Sequence, residues 1–373
     1  MMTLLLYSIL MLPMTFQVPD GRVDLDSTLK QNGDDGIGTF FSWAFSPNGK
    51  WLAGGSSPIS VSDGSGKTVY PAGVFVWEAS TGKFLKRLGD HDGSVDFLAF
   101  SDNSQRLISA HVGRLQSQDP RPTVIKVWDL RRSKLKKQFQ IDGSAKRPRI
   151  TGDGKWMVWL GKDESLSVWN LDKGKMKWQL KDTGLKHIDV SPDGKTVVGT
   201  FIEYENTEID GKTRRRVKDR GIRAWNLSDG TQRWHVQADD RQFRTAPVYF
   251  LPDGNQFFLL VDGGKKNPGS LGRFNAADGS PAGQLKLAGL DSVGTVGISS
   301  DGQRLAVSEF MGKALTMWKL DDGEQLLRID VEFPMRFRTV AFSPDLDRVG
   351  GTVPGIKTEA FQVVGPGILP LIP

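Results

Sequence analysis

Two short apolar segments carry charges where a buried strand would normally carry none. Residues 147–150 read RPRI and residues 187–190 read HIDV, so Arg147 and Arg149 stand two apart, as do His187 and Asp189. In an extended chain, residues two apart point to the same side. A His beside a carboxylate can exchange protons, and guanidinium groups nearby can hold an anion. The same four groups can instead make a structural ion-paired cluster. No nucleophile motif, metal motif or phosphate loop accompanies them.

Other chemistry is scarce. Four His, at His91, His111, His187 and His235, lack zinc-ligand spacing. Cysteine is absent, which excludes disulfides and thiolate chemistry and leaves the redox compartment unread. The residues therefore imply no catalytic set, no cofactor and no metal. A formal charge of +6 over 373 residues is a mild excess and not a nucleic-acid signature.

Charge is concentrated in two places. Residues 202–220 begin acidic (Glu203, Glu205, Glu208, Asp210) and end basic (Lys212, Arg214, Arg215, Arg216, Lys218, Arg220), with the turn phrase IDGK between. This predicts a β-hairpin with opposed charges paired across it. Tyr204 within it, Tyr70 in an earlier loop and Arg214, Arg215 and Arg216 are the candidate contact residues, because Tyr adds contact area at low entropic cost. The second concentration is Arg131, Arg132, Lys134, Lys136 and Lys137, then Lys173, Lys175 and Lys177. Lys on an exposed strand edge discourages pairing with a foreign edge, and the same lysines could meet an acidic partner or anionic surface.

The elements that position these residues repeat along the chain. An aromatic residue closes a short alternating strand at Trp77, Trp128, Trp169, Trp225, Phe274, Trp318 and Phe361, at gaps of 51, 41, 56, 49, 44 and 43 residues. Before each anchor comes an apolar strand ending in a turn, as in FSPNGK around Pro47, VSPDGK around Asp193 and ISSDGQ around Asp301. Pro fixes φ at the first corner, Asp or Asn bonds the local backbone, and Gly takes positive φ. After most anchors stands a hairpin turn, such as STGK, DKGK or DDGE.

Each unit reads as strand a, turn, strand b, loop, strand c, turn, strand d. One such sheet cannot bury both its faces alone, whereas stacking sheets around an axis buries them and limits free edges. The expected fold is all-β: a seven-bladed β-propeller of four-stranded antiparallel blades over residues 22–362, with an apolar segment 1–19 before it and a tail 363–373 after it. Residues 22–30 (RVDLDSTLK) alternate without a blade of their own, so they are expected to supply strand d of the last blade beside Phe361. In this frame Arg149 and Asp189 fall on adjacent strands a, at a place that is usually small, as in Ala44, Ala99, Gly297 and Ala341. The four polar groups thus gather near the central channel.

The repeat resembles the WD-repeat family, in divergent bacterial-type form. Only Trp128-Asp129 keeps the dipeptide that names the family, and only GDHDGSV at 89–95 approaches its Gly-His phrase. The family's hydrogen-bonded set joins such a His to a strand b Ser, a turn Asp and the strand c Trp. The second blade offers His91, Ser109 and Trp128 without a clear Asp. The resemblance implies a scaffold role without naming a partner. A rival resemblance is to quinoprotein propellers, whose blades carry Gly-x-x-x-Trp after the c–d turn; GKMKW (Gly174 to Trp178) and GTQRW (Gly230 to Trp234) fit it, and no quinone pocket is legible.

The functional expectation is a monomeric, non-catalytic scaffold that binds a protein partner, not nucleic acid, through the face bearing the b–c and d–a loops. Four b–c loops are extended: 58–72, 112–122, 202–220 and 262–269. The alternative is a propeller enzyme of lactonase, lyase or quinoprotein type with a site at the channel. Residues Thr3 to Phe16 are nearly all apolar, too short for a comfortable membrane span and closer to the h-region of a secretory signal, though no Lys or Arg precedes them. Export to periplasm or outside, an uncleaved anchor and a cytoplasmic protein with a buried N-terminal segment all stay open.

Overall fold

The computed structural model describes residues 22–23, 25, 29, 37–62, 67–112, 122–142, 148–161, 163–209, 212–238, 246–261, 269–290, 292–309, 314–330, 339–352 and 361–362. Segments 1–19 and 363–373 lie outside them. In chain order the strands are β1 (Arg22–Val23), β2 (Phe40–Phe45), β3 (Trp51–Ser56), β4 (Ile59–Ser62), β5 (Lys67–Tyr70), β6 (Ala72–Glu78) and β7 (Phe84–His91). Then come β8 (Val95–Phe100), β9 (Arg106–His111), β10 (Thr123–Asp129), β11 (Lys134–Ile141), β12 (Arg149–Ile150), β13 (Trp156–Leu160), β14 (Leu166–Asn170) and β15 (Lys175–Leu180). They continue with β16 (Leu185–Val190), β17 (Thr196–Ile209), β18 (Lys212–Asn226), β19 (Gln232–Gln237), β20 (Val248–Phe250), β21 (Gln256–Val261), β22 (Gly269–Asn275) and β23 (Pro281–Leu287). The last are β24 (Thr295–Ile298), β25 (Arg304–Ser308), β26 (Ala314–Lys319), β27 (Gln325–Asp330), β28 (Thr339–Phe342), β29 (Val349–Thr352) and β30 (Phe361–Gln362).

These strands build an all-β propeller of four-stranded antiparallel blades. The blades are β2-β3-β6-β7, β8-β9-β10-β11, β12-β13-β14-β15, β16-β17-β18-β19, β20-β21-β22-β23 and β24-β25-β26-β27. The sequence predicts seven such sheets; the described residues give six. The last repeat contributes β28 and β29 as a two-stranded ladder, and β1 pairs with β30 in another. Residues 353–360, which lead into β30, lie outside the described residues; β30 lies beside β29, and among the described residues the two ladders are not joined into one four-stranded sheet. β28 lies beside β24 of the sixth blade and beside β2 of the first, between the two ends of the arc.

The expected pairing of the N-terminal segment with Phe361 is present in β1, where Val23 faces Phe361 and Arg22 faces Gln362. The expected strand over 22–30 is shorter than predicted. Leu25 and Leu29 are helical and fully buried, in one cluster with Phe40, Trp43, Trp77 and Ala341. Their spacing of four puts both on one face of a helical turn, a period that masqueraded as alternation in so short a segment.

The core sits between blades. Leu98, Phe100 and Trp128 of the second blade pack with Ala53, Val74 and Val76 of the first, and the same sharing recurs from blade to blade. Trp77, Trp128, Trp225, Phe274 and Trp318 are buried. Trp169 is half-buried, and the side chain of Phe361 lies outside the described residues. All six blades carry a bulge in the c–d ladder immediately before the anchor, at Val76/Trp77, Val127/Trp128, Val168/Trp169, Ala224/Trp225, Arg273/Phe274 and Met317/Trp318. A bulge adds local twist, and its recurrence at one place marks the six anchors as equivalent.

Candidate interaction surface and channel cluster

The charged segment 202–220 is a hairpin that grows out of the fourth blade. Within the blade, β17 pairs with β18 from Thr196–Asn226 to Phe201–Gly221; beyond it the ladder runs on from Ile202–Arg220 to Ile209–Lys212. A bulge after Glu203 sets Tyr204 opposite Val217, Glu205 opposite Arg216, Asn206 opposite Arg215 and Thr207 opposite Arg214. The Arg215 guanidinium stacks on the Tyr204 ring 3.8 Å from its centroid, as diagonal cross-strand neighbours can. Arg214, Arg215 and Arg216 are exposed, and Tyr204 and Val217 are among the exposed large apolar residues.

The predicted pairing of the two charged arms is met in register by Glu205 opposite Arg216, but the ion pairs at the hairpin's base come from Arg223, a residue outside the charges expected to pair. Arg223 bonds Glu203 at 2.6 Å and Asp219 at 3.4 Å, and lies 3.7 Å from the centroid of the Phe201 ring. His235 stands 3.3 Å from Asp219. These contacts tie both arms to the blade while the Arg run above stays in solvent.

A second hairpin rises from the first blade on the same face. β4 pairs with β5, Ile59 facing Tyr70, and Val69 and Tyr70 are exposed. Most of the other two extended loops, 112–122 and 262–269, lies outside the described residues.

The structure brings Arg149 and Asp189 together. Arg149 Nε donates to Asp189 Oδ1 at 3.1 Å, and the Phe250 amide donates to Asp189 Oδ2 at 2.8 Å. One carboxylate thus links the first strands of three consecutive blades. Burial pushes the Asp189 pKa above the usual carboxylate range, against the pull of Arg149 and the backbone amides of Phe250 and Val190. With both oxygens engaged, Asp189 is poorly placed to act as a base. His187 is half-buried on β16 opposite Thr200, and Arg147 lies outside the described residues. Tyr249 occupies the same place in the fifth repeat (VYF) as Asp189 does in the fourth (IDV). The sequence reading missed it, although aligning the turn phrases FLPDGN and VSPDGK finds it.

The set in the second blade also forms. Trp128 Nε1 donates to Ser109 Oγ at 2.8 Å, and Ser109 Oγ lies 2.8 Å from His91 Nε2. Because Trp can only donate, the simplest arrangement has the serine proton pointing to His91 Nε2, leaving the histidine proton on Nδ1. Among the described residues nothing bonds His91 Nδ1, where the family's set would place its Asp. Burial, then the positive charge of Lys126 and neighbouring His111, lowers the His91 pKa to about 3. Ser109 is fully buried, so this Ser–His pair has no access to a substrate.

The two Gly-x-x-x-Trp phrases act as fasteners between blades. Trp178 Nε1 donates to Leu227 O at 2.9 Å and lies against Gly230; Trp234 Nε1 donates to Ala276 O at 3.1 Å and lies against Gly279. A side chain at Gly230 or Gly279 would strike these rings, and both glycines have positive φ. On the opposite, short-turn face, a cavity of about 380 Å³ is lined by Asp102, Thr151, Asp153, Trp156 and Asp193. Asp153 and Asp193 each accept bonds from a hydroxyl and an amide of their own turn.

No protein-family model matches this chain, and no curated protein matches it. The fold itself defines the class, a β-propeller of four-stranded blades.

Proposed function

We propose that this propeller is a non-catalytic scaffold that holds a protein partner on the face bearing the b–c and d–a loops. The observation that carries this reading is the blade-four hairpin. It extends a regular ladder beyond the blade, is pinned at its base by Arg223, and presents Tyr204, Val217 and Arg214–Arg216 to solvent. The hairpin with Val69 and Tyr70 adds a second aromatic projection on that face. Opposite, the a–b and c–d turns are short and alike, and offer little to distinguish partners.

The enzyme alternative has less support. Arg149 and Asp189 are committed to each other and to the Phe250 amide, and the Ser–His pair is buried. The His91–Ser109–Trp128 set supports a divergent WD-repeat assignment. The ladders β28–β29 and β1–β30 support a seventh unit assembled from both chain ends. The apolar run 3–16 supports export. The test is capture of partners from native extract by wild type and by a chain with 202–220 replaced by a tight turn. The shortened protein should unfold normally and lose its partner. Cross-links that place the partner on the short-turn face would refute the assignment.

A further inference from the structure

The eight exposed large apolar residues among those described fall into two groups. Val69, Tyr70, Tyr204 and Val217 belong to the two hairpins. Leu85, Leu135, Met176 and Leu326 stand near the start of the outermost strand of the first, second, third and sixth blades. The first three lie on consecutive blades, and their surroundings differ from those of Leu326.

From the residue after the anchor to the end of the outer strand, blades one to three carry eleven Lys and Arg against four Asp and Glu. The same stretches of blades four to six carry four against six. Among the six four-stranded blades, the positive excess of the outer stretches thus falls on three consecutive blades. The three rims are joined: Lys86 Nζ donates to Ser133 Oγ at 2.7 Å, and Lys136 pairs with Asp172 at 2.7 Å. Asp129 and Asp90 are likewise matched by Arg132 and Arg87. Arg131, Lys134, Lys173 and Lys175 stand exposed beside Leu135 and Met176.

We infer that this crescent is a docking surface for an anionic lipid bilayer. Eight of the eleven cations are Lys, point charges suited to diffuse headgroup charge, rather than the Arg forks that grip phosphates of nucleic acid two oxygens at a time. The apolar side chains come singly, one per blade and each next to at least one Lys in sequence. That spacing fits shallow entry into the headgroup boundary better than the contiguous apolar core of a protein interface. Edge protection explains the lysines alone; it does not explain an apolar residue between them on three blades running.

The full-length protein tests this by flotation with vesicles of neutral phosphatidylcholine, with or without about 30% phosphatidylserine, the mole fraction being a choice that gives a clearly negative surface. The apolar run 3–16 would enter either vesicle, so dependence on lipid charge is the readout. Binding should favour the anionic vesicles and fall more than about tenfold as salt rises from about 0.1 to 0.5 M. Replacing Lys134, Lys137 and Lys175 with Gln should weaken it on the order of a hundredfold, at about fivefold per Lys. The exposed pair Leu135→Ser and Met176→Ser should weaken it roughly tenfold with unchanged melting. Equal binding to both vesicles, or an unaffected Lys variant, overturns the proposal. So does Lys-dependent capture of polyglutamate without vesicle binding, which would mark the crescent as a site for acidic protein.

Discussion

Acidification from pH 7.5 to 5 should destabilise this protein through His91. His91 is buried beside Lys126 and His111, and its pKa falls from 6.5 to about 3 in the folded chain. The unfolded chain binds its proton near pH 6.5, whereas the folded chain resists it. The stabilising contribution is therefore complete above pH 6.5 and declines as pH falls toward 3. Each pH unit in that window removes about 1.4 kcal/mol, so roughly 2 kcal/mol is lost by pH 5. The limit near pH 3 approaches about 5 kcal/mol, an order-of-magnitude figure. Urea unfolding at half-unit steps from pH 5 to 7.5 measures this in wild type and in His91→Gln. Gln keeps a hydrogen bond to Ser109 within reach and cannot titrate. Comparing the two proteins under the same conditions isolates what the side chain at position 91, with its neighbour His111, contributes. The variant should start less stable at pH 7.5 and lose less on acidification, by about 2 kcal/mol at pH 5. Parallel pH profiles for the two proteins would show that His91 is accessible to protons in the folded state and would refute the reasoning.

Two further outcomes test the ring. Arg149→Ala should cost about 3 kcal/mol, the low end for a broken buried pair because Arg149 is a third exposed. Adding Asp189→Asn should recover part of that loss, since Asn can still accept the Phe250 amide; additive effects in chemical denaturation would mean that the pair is not coupled. Deleting residues 1–20 should leave the melting temperature nearly unchanged, while deleting 1–32 removes buried Leu25 and Leu29. The longer deletion should cost about 3–6 kcal/mol by loss of two buried leucines, and equal melting of the two truncations would refute a role for the segment in closing the ring.

Much of the fold was legible because its determinants are local. Pro, Asx and Gly at the a–b turns and Gly after the anchors impose backbone geometry independent of distant contacts, as positive φ at Gly49, Gly194, Gly254 and Gly302 reflects. Positive φ at the same turn position recurs in Ser104 and Leu346, where no Gly advertises it. The hairpin at 202–220 was legible from IDGK and the segregated charges, whereas its register, with a bulge after Glu203, was not. Ring closure was harder to read. Leu25 and Leu29 fit either period in nine residues, and the strand content of the last repeat depends on pairing between chain ends more than 300 residues apart.

Candidate site residues were legible in proportion to how strongly they broke the repeat. Arg149 and Asp189 stood out because Ala or Gly fills that place in four other repeats, and the structure joins them. Tyr249 broke the same rule without a charge and passed unseen. Arg223 sits within a regular c strand, and only the hairpin's depth reveals that it anchors Glu203 and Asp219. The same logic separates the two surfaces. A hairpin that outgrows its blade is costly to order and contributes nothing to the interblade core, so its contacts must be sought outside the ring. The Lys-rich crescent arises instead from ordinary strand-edge positions, each unexceptional alone. It becomes informative only when the topology sets three outer strands side by side and shows that the remaining three lack the same charge.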